Sequence, residues 1–170
     1  QRLSRGLGDV YKRQGLYRLG VMTISSLEAC SSCTACDLAS TRRTVVISRG
    51  NPKADLMLIG EAPGAQEDAQ GVPFVGRSGR ALDQLLRDVD LDPEHDLYIC
   101  NAIKCRPPNN RRPKKAELAA CRAWLDLQLE AVDPRVIVVT GATAVETILG
   151  IKGGLSLIHI SEPTRQSLIA

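Results

Sequence analysis

No apolar run in these 170 residues is long enough to span a bilayer. No stretch joins a basic start, an apolar run and a small-residue cleavage site, so none reads as a signal peptide. The expectation is a cytoplasmic location and no membrane partner. Phenylalanine occurs once, at Phe74, and histidine only twice. What is present suits one α/β domain: the length allows a real core, and a hydrophobic content of 44% argues against disorder in the middle of the chain.

The two ends are tied together by the genetic code. Residues 9–14, DVYKRQ, can be coded by a string whose reverse complement translates as LSLIHI, residues 155–160. The match continues outward, from SRGLG (4–8) to SEPTR (161–165). Two eleven-residue segments are thus translations of opposite strands of one DNA sequence, as expected for a transposon-type sequencing adaptor read through at both ends. Residues 1–14 and 155–170 are therefore read as adaptor-derived tails and 15–154 as one incomplete domain. The tails hold five of the 22 basic and two of the 19 acidic residues. Removing them leaves 17 of each sign, so the basic pI of about 8.6 says nothing about nucleic acid. His159 falls in a tail, which leaves His95, between two acids, as a solvated loop residue.

Between the tails, apolar runs alternate with helical patterns. TVVIS (44–48) is a short β-like run. DLMLIG (55–60), DLYICN (96–101) and RVIVVTG (135–141) read as buried strands. SGRALDQLLRDVD (78–90) reads as a helix capped by Ser78, with Ala81, Leu82, Leu85, Leu86 and Val89 on one face. KKAELAACRAWLDLQLEAV (114–132) and ATAVETILG (142–150) read as two more helices. The loop 61–77 is rich in Gly and Pro, and 104–113 holds three prolines and two adjacent asparagines, so both are irregular. The pattern predicts a parallel sheet covered on both faces, a three-layer sandwich. The loops that begin at Gly60, Asn101 and Gly141 should share the sheet's carboxyl edge, where such folds place function.

Six cysteines lie between the tails. Nothing indicates secretion, so a disulfide framework is the weaker reading. Cys33 and Cys36 form a C-x2-C pair, joined by Cys105 and by Cys121. Such thiolates suit zinc or an iron–sulfur cluster, and spacing does not choose between them. Cys30 makes a second C-x2-C with Cys33, which leaves the register open. Cys100 reads as a core thiol, and Cys121 alone also reads as a buried helical residue. Lys104, Arg106, Arg111, Arg112, Lys114 and Lys115 form a basic patch without an acid. It reads as a phosphate-contacting surface or as an ordinary solvated loop. Phe74, flanked by glycines and proline, reads as a loop-borne aromatic that could stack on a base, or as core. Asn101 reads as a strand-end turn residue or as an amide that both donates and accepts.

Four motifs in order, GEAPGAQED (60–68), GVPFVGRSG (71–79), YICNAIKCRPPNNR (98–111) and RVIVVTGATA (135–144), resemble the family 4 uracil-DNA glycosylases. The resemblance covers about residues 27–150. It implies a DNA-repair hydrolase that cleaves the N-glycosidic bond of deoxyuridine, releasing uracil and leaving an abasic site. It also implies a uracil-DNA glycosylase-like sheet and a [4Fe–4S] cluster held by Cys33, Cys36, Cys105 and Cys121. Glu61, Ala62, Pro63 and Gly64 should line the uracil pocket, Phe74 should stack on the base, and Asn101 should read its edge. Asn101 and Glu61 are the catalytic candidates. Glu61 could serve as a general base, although other glycosylases place their acid further along, so its role stays open. Lys104, Arg106, Arg111 and Arg112 would contact DNA, single- or double-stranded, and the protein would act as a monomer. The family's His-Pro-Ser type motif and the strand before it are expected beyond the last helix, where this sequence passes into the tail at Leu155. The chain as given is therefore expected to be nearly inactive. Alternatives are a non-catalytic iron–sulfur or zinc DNA-binding module and a member acting on other deaminated bases. A relative that traps its abasic product is disfavoured, because VGRSGRAL (75–82) lacks the basic, histidine-containing insert of that subgroup.

Overall fold

The structure is a computed structural model that describes residues 24–150, 158–159 and 167–169. The N-terminal tail and most of the C-terminal tail lie outside the described residues. Four strands carry the fold: β1 (Arg49–Gly50), β2 (Leu56–Gly60), β3 (Leu97–Asn101) and β4 (Val136–Val139). Four α-helices accompany them: α1 (Ala65–Gln70), α2 (Arg77–Asp88), α3 (Lys115–Val132) and α4 (Ala142–Leu149). β2 is central and parallel to both β3 and β4, as the apolar runs predict, with Leu58 opposite Ile99 on one side and Val138 on the other. β1 pairs antiparallel with β3, so the sheet is mixed at that edge. Beyond β4 run two short strands, β5 (Ile158–His159) and β6 (Ser167–Ile169). β6 lies parallel to β4 and β5 antiparallel to β6. The edge beside β4, where the family's next strand would lie, is thus taken by β6 from the C-terminal tail, with Ile158–His159 outside it.

Alternation along the strands builds the three layers. Met57, Ile59, Tyr98, Cys100, Ile137 and Val139 pack on one face with Leu125 and Val132 of α3 and Ala144 and Ile148 of α4. Leu58, Leu97 and Ile99 face the other way, against Leu82 and Leu86 of α2. Period-two side-chain direction is the cause, since successive residues point to opposite faces of a strand. A 3-10 helix, Ile24–Ser32, packs on α3.

Three local expectations are corrected. TVVIS does not join the sheet. Its backbone is satisfied elsewhere: the Val46 N–H donates to the Lys104 carbonyl at 2.8 Å, and the Ile47 carbonyl accepts from Gln128 Nε2 at 3.0 Å. Just before it, the Arg43 and Thr44 N–H groups donate to Asp68. With those groups already paired, a ladder offers little. The helix α2 starts two residues earlier, with Gly76 and not Ser78 at its N-cap. It also turns a different face inward. Gly79, Leu82 and Leu86 face the protein, whereas Leu85 and Val89 are 65% and 64% exposed. This rotation brings Asp83 onto Arg49 of β1 and Gly79 against the Phe74 backbone. Finally, the 61–77 loop contains α1, closed by Gly71 in the left-handed conformation (φ 75°). Its sequence, AQEDAQ, has no apolar periodicity to announce it.

A candidate base-binding site beside a ring of cysteines

The three strand-end loops meet where the sequence places them. The Ala102 N–H donates to the Gly60 carbonyl at 2.7 Å, Ile103 to Glu61 at 3.3 Å, and Thr140 to Ile59 at 2.9 Å. These bonds stitch the exits of β2, β3 and β4 into one wall. In front of it opens a cleft of about 260 Å³. Glu61, Ala62, Pro63, Gly64, Phe74 and Asn101 all line it, together with Gly60, Glu67, Ser78, Gly79, Pro107, Asn110, Arg111 and Thr140.

Phe74 and Asn101 converge on Gly60. A Cβ built on Gly60 would lie 2.5 Å from both the Phe74 ring and the Asn101 Oδ1. A side chain there would fill the space that both groups share. Phe74 itself has φ 56°, a left-handed conformation that is uncommon for a bulky residue. The conformation is held by Glu67, a buried carboxylate on α1. Its oxygens accept from the N–H groups of Gly64 (3.1 Å), Val75 (3.0 Å) and Gly76 (2.7 Å). One side chain thereby fixes both the GEAPG loop and the Phe74 loop, through charge-assisted bonds. Asp68, 2% exposed, does the same for residues 43 and 44. Sequence reasoning missed both carboxylates. The available signal was a pair of adjacent acids three and four residues after a glycine, in the place of a helix start. Asn101 is 2% exposed, and no hydrogen bond joins its side-chain amide to another described residue. It ends β3 with that amide in the cleft.

The basic patch is not the uniform cationic surface that the sequence suggests. Lys104 is 1% exposed, with Nζ donating to the Asn101 carbonyl at 2.5 Å, so it cannot contact a phosphate. Arg111, on the rim of the cleft, pairs with the buried Glu117 of α3. Arg112 donates to Thr143 at 2.8 Å and pairs with Glu146 of α4 at 2.9 Å. Arg106 bonds Asn110 at 2.7 Å. Lys114 and Lys115 are exposed.

Behind the cleft wall, five cysteines line a second, small void: Cys30, Cys33, Cys36, Cys105 and Cys121. Cys30 was expected outside this group and is inside it, 1% exposed. Cys100 lies apart, in the sheet core, as a core thiol should. Three sulfurs receive protein donors, each at 3.3 Å: Trp124 Nε1 to Cys33, Arg42 Nη1 to Cys105, and the Lys104 N–H to Cys121. Burial pushes the Cys30 thiol up to about 12 and Cys121 up to about 11, and raises Cys105 against the opposing pull of Arg42. Among the described residues no three His, Cys, Asp or Glu side chains are grouped as a single metal ion requires. The thiols ring a void. Soft donors in this number, with N–H groups on the sulfurs, fit a thiolate-ligated cluster.

A sheet whose central parallel strands end on one cleft, backed by clustered cysteines, defines an α/β protein with its site at the carboxyl edge of the strands. A sequence model of the Uracil DNA glycosylase superfamily matches residues 47–168, and the chain belongs to that superfamily. The family 4 assignment read from the motifs holds within it. The Type-4 uracil-DNA glycosylase of Thermotoga maritima is 50% identical over 117 residues, 69% of this chain and 60% of the relative. That of Archaeoglobus fulgidus is 46% identical over 120 residues, 71% of this chain and 60% of the relative. A Type-5 uracil-DNA glycosylase of Thermus thermophilus is 37% identical over 114 residues, 59% of this chain and 52% of the relative. The chain thus spans about 60% of the length of the Type-4 relatives it matches.

Two outcomes follow from this geometry. Gly60→Ala should leave thermal unfolding close to wild type, because the clash falls on movable side-chain tips, yet weaken uracil binding by about tenfold or more. Titration calorimetry with free uracil checks it, and undiminished binding would show that the Phe74–Asn101 gap is not the base site. The second concerns Glu117, whose carboxyl is held below its ordinary value of 4.5, chiefly by the Arg111 guanidinium. A lowered folded pKa gives stability that is present above the ordinary range and lost as pH falls through the lowered value. Denaturant midpoints of Glu117→Gln should therefore fall below wild type at pH 7, with the gap closing in acid below about pH 4. A gap that persisted at low pH would refute the pairing.

Proposed function

We propose that this chain is the greater part of a uracil-DNA glycosylase, which hydrolyses the N-glycosidic bond of deoxyuridine in DNA to free uracil and leave an abasic site. The observation that carries the reading is the convergence of Phe74 and Asn101 on Gly60, in a cleft bounded by Glu61, Ala62, Pro63 and Gly64. The base must leave the stack to be cut. Phe74 offers its face to the extruded ring. The Asn101 amide, free of described protein partners, can accept from uracil N3–H and donate to a carbonyl oxygen. Cytosine presents the opposite pattern at N3, and a mismatched polar pair in a buried site rejects it. Cleavage builds negative charge on the departing uracil, and a donor already aimed at it lowers the barrier. Asn101 is the residue in place for that. Glu61, partly exposed, lines the same cleft as a pocket residue. The substrate is uracil-containing DNA, single- or double-stranded, with Arg106, Arg111 and Arg112 near the phosphates, and the protein acts as a cytoplasmic monomer.

A [4Fe–4S] cluster is the cofactor that best suits the second void, with Cys33, Cys36, Cys105 and Cys121 as its ligands. When bound it supplies a covalent cross-link between distant segments, without a redox role in the reaction. Through Cys105 it fixes the 104–113 loop to α3 and to the N-terminal cysteine segment. Residues 15–154 form the glycosylase domain and the flanks are adaptor-derived, a reading that rests on the complementary codons alone.

The test is release of free base from a single-stranded oligonucleotide bearing one uracil, by the protein carried to the full length of its relatives. Uracil release is expected, reduced roughly 100-fold by Asn101→Asp. No release, or release of cytosine at a similar rate, would exclude the assignment. Anaerobically purified protein should be brown, with iron lost on Cys105→Ser. Colourless protein holding one zinc would contradict the cluster.

A further inference from the structure

We infer that Lys104 is a positioning residue that ties the cysteine site to the base-reading Asn101. The inference rests on the glycosylase reading above and goes beyond it.

Lys104 is almost wholly buried, at 1% exposure. Taking an ammonium out of water costs several kcal/mol unless something compensates. No Asp or Glu among the described residues forms an ion pair with it. Its Nζ donates to the Asn101 carbonyl at 2.5 Å, and the Cys100 thiol is also within its hydrogen-bonding reach. Both of those partners are neutral. On its other side the residue lines the cysteine void, and its own N–H donates to Cys121 Sγ at 3.3 Å. The counter-charge within reach is therefore that of the cysteines themselves once they are ligated as thiolates. Four thiolates around a [4Fe–4S] core carry net negative charge, which would balance the buried cation.

The same cation then holds the residue that reads the base. Asn101 is the last residue of β3, where the ladder to β2 ends at Gly60. A bond on its carbonyl oxygen fixes the peptide that follows it and so the direction in which its side-chain amide enters the cleft. Lys104 is three residues on, so the segment 101–105 closes a tight loop between base reader and cluster ligand. Ala62, in the loop after β2, supports the same link, since it packs on the cysteine group and lines the cleft. The cysteine site and the base site share a wall, and Lys104 is its charged member.

The test uses the full-length, cluster-loaded protein with Lys104→Met, which keeps the length and loses the charge, and Lys104→Gln as a second variant. Both should keep wild-type iron per chain. The cluster's reduction potential should move to more negative values, because a buried cation that favours the added electron has gone. Uracil release should fall about 10- to 100-fold in kcat, with the KM for DNA little changed. The Asn101→Ala/Lys104→Met double variant should be no slower than Asn101→Ala alone, because Lys104 acts through Asn101. An unshifted potential, losses that multiply in the double variant, or iron lost from both single variants would each overturn the inference. The glycosylase reading fails separately: it falls if Asn101→Ala itself leaves uracil release intact.

Discussion

The site depends on residue 60 having no side chain. Gly60 ends the central strand, and the Phe74 ring and the Asn101 Oδ1 both lie 2.5 Å from where its Cβ would stand. Gly79 plays a matching part behind the loop, where a Cβ would run into the Phe74 backbone. With these two positions bare, an aromatic in a left-handed conformation can lie over the sheet edge. That conformation costs of order 1–3 kcal/mol and needs outside support. Glu67 provides it with three hydrogen bonds from backbone N–H groups. The cleft is thus preorganised: its apolar face and its polar reader are set by the protein before any ligand arrives.

The second constraint is that one short segment serves two sites. Residues 101–105 carry the base reader at one end and a cysteine of the void at the other. Between them, Ile103 packs into the cysteine group and Lys104 spans the wall. Arg111 and Arg112 extend the arrangement, since their ion pairs to α3 and α4 tie the Pro-rich loop to two helices. A loop with three prolines, whose one regular turn is the 3-10 stretch Pro108–Asn110, is thereby held by paired charges, a buried cation and thiols.

Much of this was legible in the sequence. The three parallel strands stand out because each is a nearly continuous apolar run ended by Gly, Asn or Thr-Gly, and loops at their carboxyl ends can only fall together. Phe74 was legible because a lone aromatic among glycines is poor core material, whereas Glu61, Ala62, Pro63 and Gly64 were legible only through the motif resemblance. Lys104 was not, because a lysine amid arginines reads as surface, and only the packing of 101–105 shows it facing inward. Cys30 was misplaced, since its spacing fits two registers and the resemblance set it outside the group whose void it lines. Ser78 lost the helix cap to Gly76 because the Glu67 carboxylate already takes the Gly76 N–H and sets the helix entry. Leu85 and Val89 fell on the predicted apolar stripe of α2, yet the tight approach of Gly79 to Phe74 turned the helix away from them.

The central claim is that the gap between Phe74 and Asn101 is a uracil-selective base site. Direct titration of the protein with free uracil and free cytosine, followed by the amide side-chain resonances of Asn101, tests it without any catalytic step. The account predicts that uracil binds and shifts those resonances while cytosine at equal concentration leaves them in place. Equal response to both bases, or no response to uracil, would contradict it.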